Sequence, residues 1–206
     1  GQVVTGAQVD RHVVPGHDAD GHPVAHAASP VDVHQVVLRQ AVASGGDDRT
    51  VRLWGLRQTG QSLKTLTGHT NEVRSVAFSP NGKLLATAHE NNTAQLWEIP
   101  SGNLKATLKG HVARVPGVAF SPDGKTLATG SFDRNVKLWN IATQQEVGTL
   151  EPLTGTCLSL RFSPDGRTLA AGSYLGTEPY VSLWQVPSLE EIAAAEATRK
   201  IGSQQP

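Results

Sequence analysis

Phe120-Ser121-Pro122-Asp123-Gly124-Lys125-Thr126-Leu127-Ala128 is one copy of a phrase that this chain repeats. Its Ser-Pro-Asp-Gly core returns as Ser163-Pro164-Asp165-Gly166 and stands earlier as Ser79-Pro80-Asn81-Gly82, each step being 42 residues. Phe78, Phe120 and Phe162 keep the same register, and Gly68-His69 lies 42 residues before Gly110-His111. Four tryptophans, Trp54, Trp97, Trp139 and Trp184, follow at steps of 43, 42 and 45 residues, each preceded by leucine (Leu53, Leu96, Leu138, Leu183). A period of this length, held by several residue types at once, is a structural repeat and not chance.

Outward from the Ser-Pro-Asp-Gly phrase, each unit reads as short strands and turns. Proline presets its own φ and glycine accepts positive φ, so the phrase is a turn. Before the second unit's turn, Val73-Arg74-Ser75-Val76-Ala77-Phe78 is rich in strand formers, and Leu84-Leu85-Ala86-Thr87 follows as a buried strand. A polar turn leads to Thr93-Ala94-Gln95-Leu96-Trp97, and Leu104 to Leu108 supplies a weaker fourth strand. Four short antiparallel strands per unit of about 40–45 residues predict an all-β fold of β-propeller blades. No helical period runs through the units, which excludes a helical solenoid.

From about residue 41 to 186 the chain resembles the WD-repeat family, with "FSPDG(K/R)TLA" similar above all to bacterial members. The family's Trp-Asp ending is absent, since Gly55, Glu98, Asn140 and Gln185 follow the four tryptophans. The resemblance implies a buried hydrogen-bonded set in each blade, made of the His after Gly, a Ser or Thr, a turn Asp and the Trp indole. Such a set leaves no buried donor unmet, and losing one member strands a partner at about 1–3 kcal/mol. The third unit supplies all four as His111, Thr129, Asp133 and Trp139; the second has His69, Thr87 and Trp97 with Asn91 in the Asp position. The first has Ser44, Asp48 and Trp54 without a clear Gly-His, and the fourth has Trp184 with Ala171 in the Ser/Thr position and a longer turn through Leu175 to Tyr180. The third unit is therefore expected to be the best ordered.

The two ends depart from the repeat. Residues 1–40 hold five of the eight histidines, His12, His17, His22, His26 and His34, and read either as a decayed blade or as an irregular segment translated out of frame. Their spacing matches no zinc motif, and Asp18-Ala19-Asp20-Gly21 lacks the remaining ligands of a calcium loop, so neither metal is expected. Residues 187–206 predict a short helix and tail. Ser188 and Glu191 form a capping box, Ile192 to Ala197 favour helix, and Gly202 can end it. This ending resembles that of bacterial WD-repeat proteins, and the chain contains no methionine, so a C-terminal portion of a longer chain is expected.

Composition narrows the function. Lys plus Arg and Asp plus Glu each total 18, which gives no basic excess for nucleic acid or an anionic membrane. No run of 18 apolar residues suggests a membrane helix. The single Cys157, beside Leu158 and Leu160, reads as a small core residue and fits a reducing, cytoplasmic setting. Walker-type, Gly-x-Ser-x-Gly and zinc-protease motifs are missing. The repeat's Asp and His residues recur blade by blade, as structural groups do and catalytic groups do not. No enzyme activity and no cofactor are expected.

By resemblance, protein partners would meet the start of each inner strand and the residue before the turn Asp. Those positions are Glu72 and Arg74, Arg114 and Pro116, then Asp47, Glu90 and Phe132, with Tyr174 in the fourth unit. Closed rings use about 4–8 blades, and the resemblance implies the larger number, so about four blades form an open or partial ring. Its ends are expected to be sticky, which makes self-association to close the ring possible. The expected role is a non-catalytic scaffold for a protein or peptide partner. The alternative is the sensor or docking half of a larger bacterial signalling protein such as a Ser/Thr kinase.

Overall fold

The computed structural model describes residues 41–55 and 62–185. They form four antiparallel sheets. The first holds β1 (Ala41–Gly45), β2 (Val51–Gly55) and β3 (Ser62–Leu66). The second holds β4 (Val73–Phe78), β5 (Leu84–His89), β6 (Thr93–Glu98) and β7 (Leu104–Lys109). The third holds β8 (Gly117–Phe120), β9 (Thr126–Gly130), β10 (Val136–Asn140) and β11 (Glu146–Thr149), and the fourth β12 (Thr156–Phe162), β13 (Thr168–Leu175) and β14 (Glu178–Gln185).

Only the two middle sheets show four strands. Trp54 lies on β2 as Trp97 lies on β6, so the first sheet lacks its innermost strand among the described residues. Trp184 lies on β14, so among the described residues the fourth lacks its outermost. The reading of residues 1–40, the histidine run and the C-terminal helix also lie outside the described residues.

The Ser-Pro-Asp-Gly phrase closes each inner hairpin by one repeated device. The Ser121 hydroxyl donates to Asp123 Oδ1 (2.6 Å) and accepts the Thr126 amide (3.0 Å), while Asp123 Oδ1 accepts the Lys125 amide (3.0 Å). Ser79 with Asn81 and Ser163 with Asp165 do the same. Gly82, Gly124 and Gly166 have φ of 71°, 70° and 74°, the left-handed conformation for which glycine is selected.

The sheets stack forward face on back face, and the core lies in the three junctions. Ala43, Val51, Leu53 and Leu66 meet Val73, Val76, Phe78, Leu85 and Trp97. Ala86, Ala88, Ala94 and Leu96 meet Val115, Val118, Leu127 and Trp139. Ala119, Ala128 and Val136 meet Cys157, Leu160, Leu169 and Ala171, with Trp184 alongside. Register explains which residues are chosen. Val51, Ala94 and Val136 are 0%, 2% and 0% exposed, whereas Val181, their counterpart on the last sheet's forward face, is 74% exposed. Leu183 is likewise 67% exposed where Leu96 is fully buried. Trp97 and Trp139 are buried, while Trp54 and Trp184 are half-buried.

At the third junction Gly130 lies so close to Cys157 that an added Cβ would overlap its sulfur. Gly130→Ala is expected to lower stability by about 1–3 kcal/mol through overpacking. Gly148→Ala, with nothing within 4 Å of the new Cβ, should not. Urea midpoints of the two variants check this.

The long hairpin of the fourth sheet is continuous strand, not loop. β13 and β14 pair from Thr168↔Gln185 out to Leu175↔Glu178, around a turn with Gly176 at φ 62°. β4, β8 and β12 lie side by side and line a cavity of about 170 Å³ that includes Ser75, Pro116, Leu158 and Arg161.

Candidate interaction face

Backbone hydrogen bonds draw the loops before β4 and β8 to the turns between the second and third strands of their sheets. The Glu90 amide donates to Glu72 O (3.2 Å) and the Phe132 amide to Arg114 O (3.0 Å). Neighbouring sheets are tied in the same way, with Val73 N–H to Gly46 O, Val115 N–H to His89 O and Cys157 N–H to Ser131 O. Asp47, Glu72, Arg74, Glu90, Arg114 and Phe132 therefore share one face.

Five of them form a single chain of charge across three sheets. Arg74 donates through Nε to Glu90 (2.6 Å), through Nη1 to Asp47 (2.9 Å) and through Nη2 to Glu72. Arg114 Nη1 meets the same Glu90 oxygen at 3.3 Å, and its guanidinium carbon sits 3.7 Å from the centre of the Phe132 ring. Partial burial works against the Arg74 charge, but the three carboxylates, Glu90 first, outweigh it and hold its pKa above the ordinary arginine value. Arg74 is thus a clasp between loops, each of its three nitrogens meeting one carboxylate. Single exposed ion pairs contribute about 0–1 kcal/mol, so the chain's effect is to fix the relative positions of the loops. Pro116 lies apart, at the inner cavity. Tyr174 is 36% exposed, and its carbonyl accepts the Thr156 hydroxyl at 3.3 Å.

Beneath this face lie the buried polar sets. In the third sheet all four residues meet. Trp139 Nε1–H donates to Thr129 Oγ1 (2.8 Å), which lies 2.8 Å from His111 Nε2, and His111 Nδ1 lies 2.8 Å from Asp133. A carboxylate can only accept, so Nδ1 carries the proton and the Thr129 hydroxyl donates to Nε2. Burial raises the Asp133 pKa, but amides of Val112 and Asn135 together with His111 bring it below the usual value. Burial lowers the pKa of His111, and Asp133 opposes it.

The second sheet is built differently from the sequence expectation. Trp97 Nε1–H donates to Thr87 Oγ1 at 3.1 Å, but Asn91 does not join the set. Its amide donates instead to Thr70 (2.8 Å), and its carbonyl accepts the Thr93 hydroxyl (2.8 Å). His89 and Gln95, which the sequence reading passed over, take its place, each within 3.2 Å of His69 Nδ1. The available signal was His89 in the register of Ser131, a large titratable ring where the third unit has a hydroxyl.

In the first sheet Trp54 donates to Ser44 (2.9 Å), while Asp48 accepts from the Thr50 amide and hydroxyl and pairs with Arg52 (2.7 Å). In the fourth, Ala171 offers Trp184 no hydroxyl. Among the described residues no three His, Cys, Asp or Glu side chains converge on a metal position. Cys157 is buried, and burial pushes its thiol up to about 12, which leaves it unreactive.

Repeated antiparallel sheets, nested face to back along an inner row of strands, define a propeller-type repeat protein. The chain belongs to the WD-repeat family, whose model, described as WD domain, G-beta repeat, matches residues 9–55, 60–98, 102–140 and 144–184. Members of this family usually bind proteins and are usually non-catalytic. The chain is 43% identical over 58 residues to the nuclear distribution protein PAC1 of Gibberella zeae, covering 28% of this chain and 12% of that protein. It is 54% identical over 54 residues to PAC1 of Mycosarcoma maydis, again 12% of the relative and 26% of this chain. With nuclear distribution protein nudF of Aspergillus niger it shares 39% over 61 residues, which is 30% of this chain and 13% of the relative. The matches thus span about an eighth of these curated relatives.

Proposed function

We propose that this chain is a non-catalytic scaffold, acting in the cytoplasm, that holds a protein or peptide partner on the face carrying Asp47, Glu72, Glu90, Arg114 and Phe132. The observation that carries this reading is the convergence of these residues, from three sheets, into one linked chain beside an aromatic ring. Three carboxylates share two arginines, and among the described residues no donor meets the second oxygen of Asp47, Glu72 or Glu90. That surplus favours a cationic side chain on the partner. Phe132, with Val112 at 81% exposure in the neighbouring loop, favours an apolar residue beside it. An aromatic under an arginine is the kind of anchor that dominates interface energies.

Phe132→Ala is expected to weaken partner binding by at least about 2 kcal/mol, roughly 30-fold, with only a small change in the urea midpoint. The check is affinity capture with the wild-type chain, followed by titration of the captured partner against both forms. Equal affinity for the two would remove this face from the reading.

A further inference from the structure

We propose that the buried His69–His89 contact is an acid-sensitive latch: while both rings are neutral it holds the loops that carry Glu72 and Glu90, and it releases them when either ring takes a proton. The functional meaning of the latch rests on the interaction face proposed above; the latch itself rests on the placement of protons in the second sheet.

That placement follows from the partners. His89 Nδ1 faces the Thr93 carbonyl at 3.3 Å, which can only accept, so the proton of neutral His89 is on Nδ1 and a lone pair is on Nε2. The Trp97 indole donates to Thr87 Oγ1 (3.1 Å), and the Thr87 hydroxyl, 3.2 Å from His89 Nε2, directs its own hydrogen to that lone pair. His69 Nδ1 lies 3.2 Å from both Gln95 Oε1 and His89 Nε2, two acceptors, so it too carries its proton on Nδ1. His69 Nε2 is then a bare lone pair, buried and without a partner. Every donor in the set is used, and both rings are neutral. A further proton on His89 Nε2 would stand against the His69 N–H, and one on His69 Nε2 would be buried with no acceptor. Both outcomes carry the cost of a buried, unmet charge.

The third sheet shows what would relieve this. There Asp133 accepts from His111 Nδ1, and its carboxylate opposes the cost of burying a charge on the ring. In the second sheet Asn91 occupies that register and is turned to Thr70 and Thr93. The charged groups around the pair do not substitute for it. Glu72 and Glu90 on the adjoining loops and Asp47 from the first sheet are committed to Arg74; Arg114, from the loop that also carries His111, adds to Glu90, and Lys109 on β7 lies opposite Thr93. Among the described residues none of them bonds either ring. Burial, then the neighbouring His69, lowers the His89 pKa to about 4, and burial lowers that of His69.

The latch sits where release would be felt. Thr70, next to His69, accepts the Asn91 amide, and Glu72 follows two residues later. Glu90 follows His89, and its amide is bonded to the Glu72 carbonyl (3.2 Å), while the His89 carbonyl holds the Val115 amide (3.0 Å). Loosening the pair therefore loosens two of the three carboxylates that orient Arg74.

The test is amide exchange on the free 206-residue chain, expressed as protection relative to intrinsic rates, at pH 7 and pH 4.5. Protection at residues 69–72 and 89–92 is expected to fall at least about 10-fold, and by clearly more than at residues 111–115 and 131–135, where Asp133 opposes the effect of burial on His111, a difference within ordinary local-opening energies. The double variant His89→Ser, Asn91→Asp installs the third sheet's residues and should reduce the fall to that of the third sheet; His89→Gln, which keeps an amide in the space and leaves only His69 to take a proton, should also reduce it and serves if the double variant does not fold. Equal loss in both sheets, or the same loss in the variants, would overturn the latch. Because no partner is present, the outcome is independent of whether Phe132→Ala abolishes binding.

Discussion

Trp139→Ala is expected to destabilise the chain by about 3–5 kcal/mol, the range for removing a large aromatic from a packed core. Two losses combine. The indole is 4% exposed and packs in the junction of Ala86, Ala88 and Leu96 with Val115 and Leu127, so its removal opens a cavity between two sheets. Its N–H also engages Thr129, whose hydroxyl in turn engages His111, and that end of a buried network is left without its donor. Trp184→Ala provides the contrast. Trp184 is half-buried, and Ala171 stands where a hydroxyl would receive its N–H, so the loss should be about 1–2 kcal/mol. Urea unfolding of both variants separates the cases, and equal losses would mean that the nested face and the polar set contribute nothing beyond exposed apolar area.

Acidification from pH 7 to pH 4 is expected to remove about 3 kcal/mol of stability through His89 alone. An unfolded histidine takes its proton near about 6.5, whereas folded His89 does so at about 4. Between those values the unfolded chain binds more protons, so stability falls as pH falls; above about 6.5 the full contribution is present. The lost stability corresponds to roughly 1.36 kcal/mol for each unit between the two pKa values. His69 and His111 shift the same way and add to the effect. The carboxylates work in a separate window. Asp48, Asp123, Asp133, Glu146 and Asp165 have lowered pKa values, so their contributions are lost only as pH drops through and below the ordinary carboxylate range. Urea midpoints measured between pH 7.5 and 4.5 should fall steadily for the wild-type chain and much less for His89→Ser, Asn91→Asp. Parallel curves would assign the acid sensitivity elsewhere.

The repeat was readable because its turns are locally determined. Serine, proline, an Asx residue and glycine in succession set a tight turn, and the 42-residue step between such turns marks one unit of short strands. The third sheet's polar set was readable for the same reason, each member standing at a regular offset from the turn. The second sheet's was not. Which ring His69 meets depends on the lateral positions of β5 and β6, and spacing along the chain does not say that His89, 20 residues on, and Gln95, 26 residues on, reach one nitrogen. Arg74 was read as an exposed contact for a similar reason. Two of its three partners come from positions 27 residues before and 16 after, and spacing along the chain does not show that they reach it. The strand-like character of Tyr174 to Tyr180 was hidden by Gly176 and Pro179, which mark a loop elsewhere but here bound a tight turn and an edge strand.

The nesting of the sheets gives the molecule a direction. One side of each sheet presents small and branched residues, as in Ala94 with Leu96; the other presents an indole and a leucine, as in Trp139 with Leu127. The two sides are complementary to each other and not to themselves, like the head and socket of a joint. A surface that covers Val181 and Leu183 in the manner of the three internal junctions must therefore bring a socket of the Trp–Leu kind. Two copies meeting through those residues head to head would place branched side chains against branched side chains, so a matching partner surface approaches this end in one sense only.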